Sequence, residues 1–187
     1  MHFRRLSNRL LHVLGRIPLR LSLLAIRPIA LFNHRLYMAL LLPLLRAAGM
    51  KLLGKPRFIS PNAFIDDFSK ITLGDRVVIS SNVSLLVHDY SLTTAMIAAD
   101  ELKGPDVAII RPITIGNNVF VGWGAMLMPG TTIADNVIIG AGAVVRGNVE
   151  SRTVVIGNPF QKITTIDELL EKHRKRESNL EVREDRK

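Results

Sequence analysis

The chain has 187 residues, no cysteine and a formal net charge of +9. That length holds one domain with a real core plus an appendage. Without cysteine there is no disulfide, thiolate metal site or cysteine nucleophile, which suits a reducing compartment. The charge is unevenly placed. Residues 1–65 carry eleven Lys or Arg and no Asp or Glu, whereas residues 66–187 carry fourteen basic against sixteen acidic residues. A block of one sign points to a polyanionic partner, either nucleic acid or an anionic membrane.

Residues 1–55 alternate leucine-rich patches with arginines. The longest stretch free of Lys and Arg, Leu36–Leu45, falls well short of the roughly 20 apolar residues a membrane span needs. Arg5, Arg9, Arg16, Arg20 and Arg27 fall on one helical stripe, with Leu and Ile covering much of the rest. Pro18 and Pro28 each begin or kink a helix, so two or three short helices are expected. Two readings of this basic amphipathic segment stand side by side. It lies in the interface of an anionic membrane, or its leucines pack on the following domain or on a sister subunit. Nucleic acid is disfavoured, because the arginines are diluted by leucine rather than by aromatic or polar residues. Arg20 and Arg27 interrupt the apolar centre that a secretory signal requires. The expected location is cytoplasmic, peripheral at the inner face of the membrane.

Pro56 and Pro61 mark the next boundary, and residues 56–163 follow a six-residue beat. Leu73, Ile79, Leu85, Ile109, Ile115, Val121, Leu127, Ile133, Ile139 and Val145 are all Leu, Ile or Val. Four positions later in each unit stands a small or β-branched residue, among them Val77, Val83, Ala125, Thr131 and Ala143. One unit places Asp89 there instead, directly after His88. Ile59, Ile65 and Ile71 keep the same beat in an earlier phase, two residues out of step with Leu73. A fixed short period means a solenoid whose repeats stack over a shared core. Two- or three-residue strands joined by Asn and Gly turns are expected, and no helical period survives. Residues 91–108 break the beat and are expected to leave the coil as a loop, where Thr93, Thr94, Asp100 and Lys103 are candidates for touching a substrate.

The run from Ile115 to Val145, followed by Gly157-Asn158-Pro159, resembles the hexapeptide-repeat acyltransferases. The segment Val87-His88-Asp89-Tyr90-Ser91 resembles the active-site stretch of their sugar O-acetyltransferase branch. The resemblance covers about residues 58–164. It implies an all-β solenoid, a left-handed parallel β-helix, here with a basic amphipathic helical segment before it and a short helix after it. It also implies a homotrimer with active sites between subunits, and acetyl-coenzyme A as donor. His88, alone among histidines in the repeat region, matches the family's catalytic base. An imidazole suits deprotonation of an attacking hydroxyl. Asn82 and Asp89 are candidate acceptor contacts, with Asp89 alternatively holding the turn. Gly122, Trp123, Gly124, Gly140, Ala141 and Gly142 are candidates for the groove that takes the pantetheine arm, and Arg146 and Lys162 for the coenzyme A phosphates. The chain departs from the family at Arg146-Gly147, commonly Thr-Lys, and at Phe160, commonly Ala. It also has Phe120 where the family commonly has Trp. The zinc-binding branch of the fold needs several histidines, which His88 alone does not supply, so no metal is expected.

In residues 164–187, Thr164-Thr165 before Asp167, Glu168 and Leu169-Leu170 reads as a capped helix start, with a charged tail beyond His173. The whole reads as an O-acetyltransferase acting on a sugar hydroxyl, in envelope or surface-polysaccharide synthesis at the membrane. The rivals are an N-acyltransferase acting on an amino sugar and a non-catalytic β-helix scaffold at the membrane.

Overall fold

The computed structural model describes residues 18–175. The expectations for Arg5, Arg9 and Arg16 and for residues 176–187 fall outside them. The chain enters through helical residues 18–25, then helix α1 (Ile29–Phe32) and helix α2 (His34–Ala47). The Asn33 side chain caps α2 by accepting the Leu36 N–H at 3.0 Å. One face of α2 buries Tyr37, Met38, Leu41, Leu42 and Leu45 in the same cluster as the repeat core, at the three- and four-residue spacing of a helix stripe. Met38 Sδ accepts the backbone N–H of Ile59 at 3.3 Å. A solenoid end left open would expose its core, and α2 closes this one. These leucines therefore pack on the repeat domain, whereas Leu21, Leu24, Leu31 and Phe32 remain exposed.

Seventeen short strands follow among the described residues. One sheet orders β1 (Lys51–Leu52), β4 (Ile71–Leu73), β9 (Ile113–Ile115), β12 (Thr132–Ile133) and β15 (Asn148–Val149). A second orders β2 (Phe58–Ile59), β5 (Val78–Ile79), β10 (Phe120–Val121), β13 (Ile138–Ile139), β16 (Thr153–Ile156) and β17 (Gln161–Thr165). A third orders β3 (Phe64–Ile65), β6 (Ser84–Leu85), β11 (Met126–Leu127) and β14 (Val144–Val145). All pairs within these sheets are parallel except β16 with β17. The chain visits the three sheets in turn and so winds a three-sided parallel solenoid. The first strand lies five residues before the expected boundary, in register with Thr72 and Leu73.

The core is the six-residue beat. Leu73, Ile79, Leu85, Val121, Leu127, Ile139 and Val145 are fully buried, as are Val77, Val83, Ala125, Thr131 and Ala143 between them. Each large aliphatic side chain so buried contributes about 1.5–3 kcal/mol. Thr131 is tolerated because its hydroxyl donates to the carbonyls of Met128 and Val145. The phase offset is explained by β4, in which both Ile71 and Leu73 point inward, and by a 3₁₀ turn at Phe68–Lys70 that lengthens its coil. The sequence expectation fails at Ile109. It is half-buried and pairs with Asp89 in an antiparallel ladder of β7 (His88–Asp89) with β8 (Ile109–Ile110), and the core resumes at Ile113.

Residues 91–108 leave the coil as expected but not as a plain loop, because Ser91–Ala98 form helix α3. Its apolar residues Leu92 and Ile97 are exposed, so no amphipathic stripe marks it in the sequence. The last helix, α4 (Ile166–Arg174), starts with a full capping box between Thr165 and Glu168.

Candidate active site

The solenoid has three corners, and backbone hydrogen bonds stack each coil's corner on the next. At the corner between the second and third sheets, Gly124 N–H donates to Ser81 and Gly142 N–H to Trp123. Asn82, Gly124 and Gly142 all take left-handed backbone there, with φ of 59°, 67° and 68°, a region open to Gly and Asn. At the corner that follows the third sheet stand His88 with Asp89, and two coils further Arg146 with Gly147. There the excursion departs, and its two ends zip together through the β7–β8 ladder.

His88 is held by a residue the sequence reading did not single out. Its Nδ1 lies 2.6 Å from Asp66 Oδ2. The same oxygen accepts the backbone N–H groups of Val87 and His88, each at 3.2 Å. Asp66 is placed by its own N–H, which donates to the Leu85 carbonyl, so the pair spans two successive coils. Burial pushes the Asp66 carboxyl up, but the hydrogen bonds from the His88 ring and from the two backbone amides outweigh it and hold it below its ordinary value. An ionised Asp66 only accepts, so His88 Nδ1 carries the hydrogen and Nε2 keeps its lone pair. The two side chains are 29% and 27% exposed, sheltered yet reachable. The signal that could have found Asp66 is the coil register: Ile65 pairs with Leu85, so the residue after Ile65 falls beside the stretch that leads to His88.

The other candidates divide between the two corners. Asp89 Oδ1 accepts the Ser91 N–H at 2.9 Å, which turns the chain into α3, and its Oδ2 lies 3.7 Å from Arg146 Nη2. Hydrogen bonding to Ser91 and the nearby Arg146 charge hold the Asp89 carboxyl below its ordinary value. Arg146 itself is largely exposed. Lys162 on β17 lies 3.8 Å from Glu150, and Arg152 is engaged by Asp167. Asn82 is exposed on the earlier corner. Trp123 is exposed beside Gly124, so it does not pack between coils. Gly124 and Gly142 face open space, Ala141 is exposed, and Gly122 and Gly140 abut the neighbouring coil. The third sheet lies between the His88 corner and the Gly124–Gly142 corner, and the single chain does not bring the two together. Thr93 is committed elsewhere: its hydroxyl donates to the Val107 carbonyl at 3.0 Å and accepts the Val107 N–H at 2.7 Å. Among the described residues no cluster of three His, Cys, Asp or Glu is placed to hold a metal ion.

The model of the bacterial transferase hexapeptide (six repeats) matches residues 112–147. Protein CapG of Staphylococcus aureus is 36% identical over 125 residues, which cover 66% of this chain and 70% of that protein. Galactoside O-acetyltransferase of Escherichia coli is 36% identical over 104 residues, covering 56% of this chain but only 48% of the enzyme. A solved maltose O-acetyltransferase from Clostridium difficile superposes with a TM-score of 0.54 at 25% identity, covering 76% of this chain and 87% of that one. The repeat family and this neighbour imply the left-handed form of the parallel β-helix. With the three-sided solenoid and the matching repeats, the chain belongs to the hexapeptide-repeat acyltransferases, and it is similar to galactoside and maltose O-acetyltransferases among them.

Proposed function

We propose that the protein moves an acetyl group from acetyl-coenzyme A to a sugar hydroxyl, with His88 as general base. The observation that carries this reading is the His88–Asp66 pair at 2.6 Å, which leaves Nε2 as a base on a partly exposed ring at the one corner where the repeat is interrupted. His88 Nε2 takes the acceptor's hydroxyl proton as the oxygen attacks the thioester carbonyl. The tetrahedral intermediate then collapses, the C–S bond breaks, and the coenzyme A thiolate takes the proton back from the imidazolium. A backbone amide of the glycine-rich corner supplies an oxyanion donor, and the open space at Gly124 and Gly142 takes the pantetheine arm. Because one chain separates that corner from His88, the site is completed between subunits of a homotrimer. Arg146 and Lys162 lie toward the phosphates, and Asn82 and Asp89 toward the acceptor.

The basic segment and the exposed Leu31 and Phe32 support work at an anionic membrane face, on a glycan precursor. No helix among the described residues is long and apolar enough to cross a membrane; attachment in this reading is peripheral, at the inner face. The chain spans only about half of the galactoside enzyme, and the acceptor class is accordingly part of the proposal.

The test is coenzyme A release from acetyl-coenzyme A over a panel of sugars and amino sugars. Ester product, cleaved by mild base, supports O-transfer, whereas base-stable amide supports the N-acyltransferase. His88→Ala is expected to lower turnover about 100-fold or more. Unchanged turnover in that variant would remove His88 as the base, whereas no transfer to any acceptor and no thermal stabilisation by coenzyme A, where about 2.7 kcal/mol is expected at 100 times the dissociation constant, leaves the scaffold reading.

A further inference from the structure

Away from the His88 corner, a groove of about 1040 Å³ runs between α2 and the outer face of the second sheet. Its polar lining is one-sided. His34, Arg35, Lys55, Arg57 and Arg76 face a single acid, Asp75. Asp75 Oδ1 is already taken by the backbone N–H of Lys55 at 2.9 Å, and Lys55 and Arg76 make no side-chain ion pair or hydrogen bond with any described residue. Arg76 also occupies a costly place. It sits in left-handed backbone, φ 55°, at the foot of a corner stack that continues through Asn118 and Asn136 at 53° and 59°. Asn tolerates that region and Arg does so poorly. The stack's other arginine, Arg152, is matched by Asp167, but no acid among the described residues matches Arg76.

The floor of the groove is apolar and continuous. Phe58, Val78, Phe120 and Ile138 stand in register on four adjacent strands, and all four remain partly exposed on the outer face. The concavity continues from Arg57 and Arg76 along Val78 and Phe120 to Ile138. Four strands span about 14 Å. A cationic mouth at one end of an apolar trough is the complement of an amphiphile with an anionic head.

We propose that this groove binds an anionic phospholipid of the membrane surface. Lys55, Arg57 and Arg76 hold the phosphate, and one acyl chain lies along Phe58, Val78, Phe120 and Ile138. The neighbouring Leu31 and Phe32, 81% and 88% exposed, enter the bilayer beside it. This rests on the membrane-face reading above and gives it a site, separate from the acetyl-transfer site.

The experiment is flotation of the full chain with phosphatidylcholine vesicles, with and without about 30 mol% phosphatidylglycerol, for the wild type, the double variant Lys55→Glu/Arg76→Glu and Phe120→Glu. Acetyl transfer to a soluble acceptor and sedimentation serve as controls of folding and assembly. The wild type should prefer the anionic vesicles. The double variant should lose at least about tenfold of that binding, given the contribution of each cation at an anionic surface, and Phe120→Glu should lose it through a carboxylate placed on the apolar floor, while soluble activity is kept in both. If the wild type floats and the double variant floats equally well, the groove proposal falls and the membrane reading stands. If the wild type binds neither vesicle, both fall and the acetyl-transfer reading is untouched. Saturable binding of inorganic phosphate as tight as that to vesicles would overturn the lipid as occupant. Dissociation of the oligomer by Phe120→Glu would overturn it in favour of a second copy of the chain.

Discussion

Asp66 and His88, 22 residues apart in sequence, meet at 2.6 Å because one coil of the solenoid stacks the first beside the second. Asp66 touches no reacting atom in the proposed mechanism. It is a positioning residue that fixes the Nδ1–H tautomer and stabilises the imidazolium. Asp66→Asn keeps the shape but offers the ring either an amide hydrogen or an amide oxygen, so the tautomer is no longer dictated. The expected result is a fall in kcat of roughly 10²–10⁴-fold with KM little changed. A merely structural role would not confine the loss to kcat, and an unaltered kcat would remove Asp66 from the mechanism.

The same carboxylate ties stability to pH. Its folded-state value lies below the ordinary 3.8, so the unfolded chain binds the proton more readily. The resulting stabilisation is fully present above the unfolded value, and it is lost as pH falls through the lower folded value. Denaturant unfolding followed from neutral pH down through about pH 4 and below should show the wild type losing stability on the acid side with a steeper slope than Asp66→Asn. Parallel curves would mean that the hydrogen bonds from His88, Val87 and the His88 backbone do not stabilise the charged form.

The fold was legible in residues such as Leu127 and Ala125 because a solenoid repeats its core every coil, and a repeat is a local pattern. Three things were not. Helix α3 buries no stripe of its own beyond Thr93, so periodicity has nothing to report. Ile109 keeps the beat by coincidence while serving an antiparallel ladder with Asp89. The partner of His88 follows from register between coils, and register depends on the 3₁₀ turn at Phe68–Lys70, which no six-residue count anticipates. Asp89 was readable as either an acceptor contact or the holder of the turn, and its carboxylate accepts the Ser91 N–H at the turn into α3.

Glycines of the candidate donor corner separate into two kinds, and substitution should tell them apart. A Cβ at Gly122 would meet backbone atoms of Ala141, Ile139 and Gly140 at 2.7, 2.8 and 2.9 Å. Backbone cannot step aside, so Gly122→Ala should cost on the order of 1–3 kcal/mol through forced separation of coils. A Cβ at Gly124 meets nothing within 4 Å and carries only the left-handed backbone penalty, about 1 kcal/mol. If the corner takes the pantetheine arm, Gly124→Ala should raise the KM for acetyl-coenzyme A severalfold while its melting temperature stays above that of Gly122→Ala. An unchanged KM would move the donor groove away from this corner.

Thr93 gives the most local prediction. Its buried hydroxyl both donates to and accepts from the backbone of Val107, so one side chain clamps the start of α3 to the segment that leads into β8. Thr93→Val keeps the volume but strands a donor and an acceptor of Val107, at a cost of about 1–3 kcal/mol. The excursion carries no part of the repeat core, so that cost should appear as local opening rather than as global unfolding. Amide hydrogen exchange should accelerate within residues 91–108 and stay unchanged at Leu127 and Ile139. If the excursion walls the acceptor site, the KM for the sugar should rise with kcat held. If exchange accelerates but the KM does not move, the excursion is a surface ornament and the acceptor is bound elsewhere.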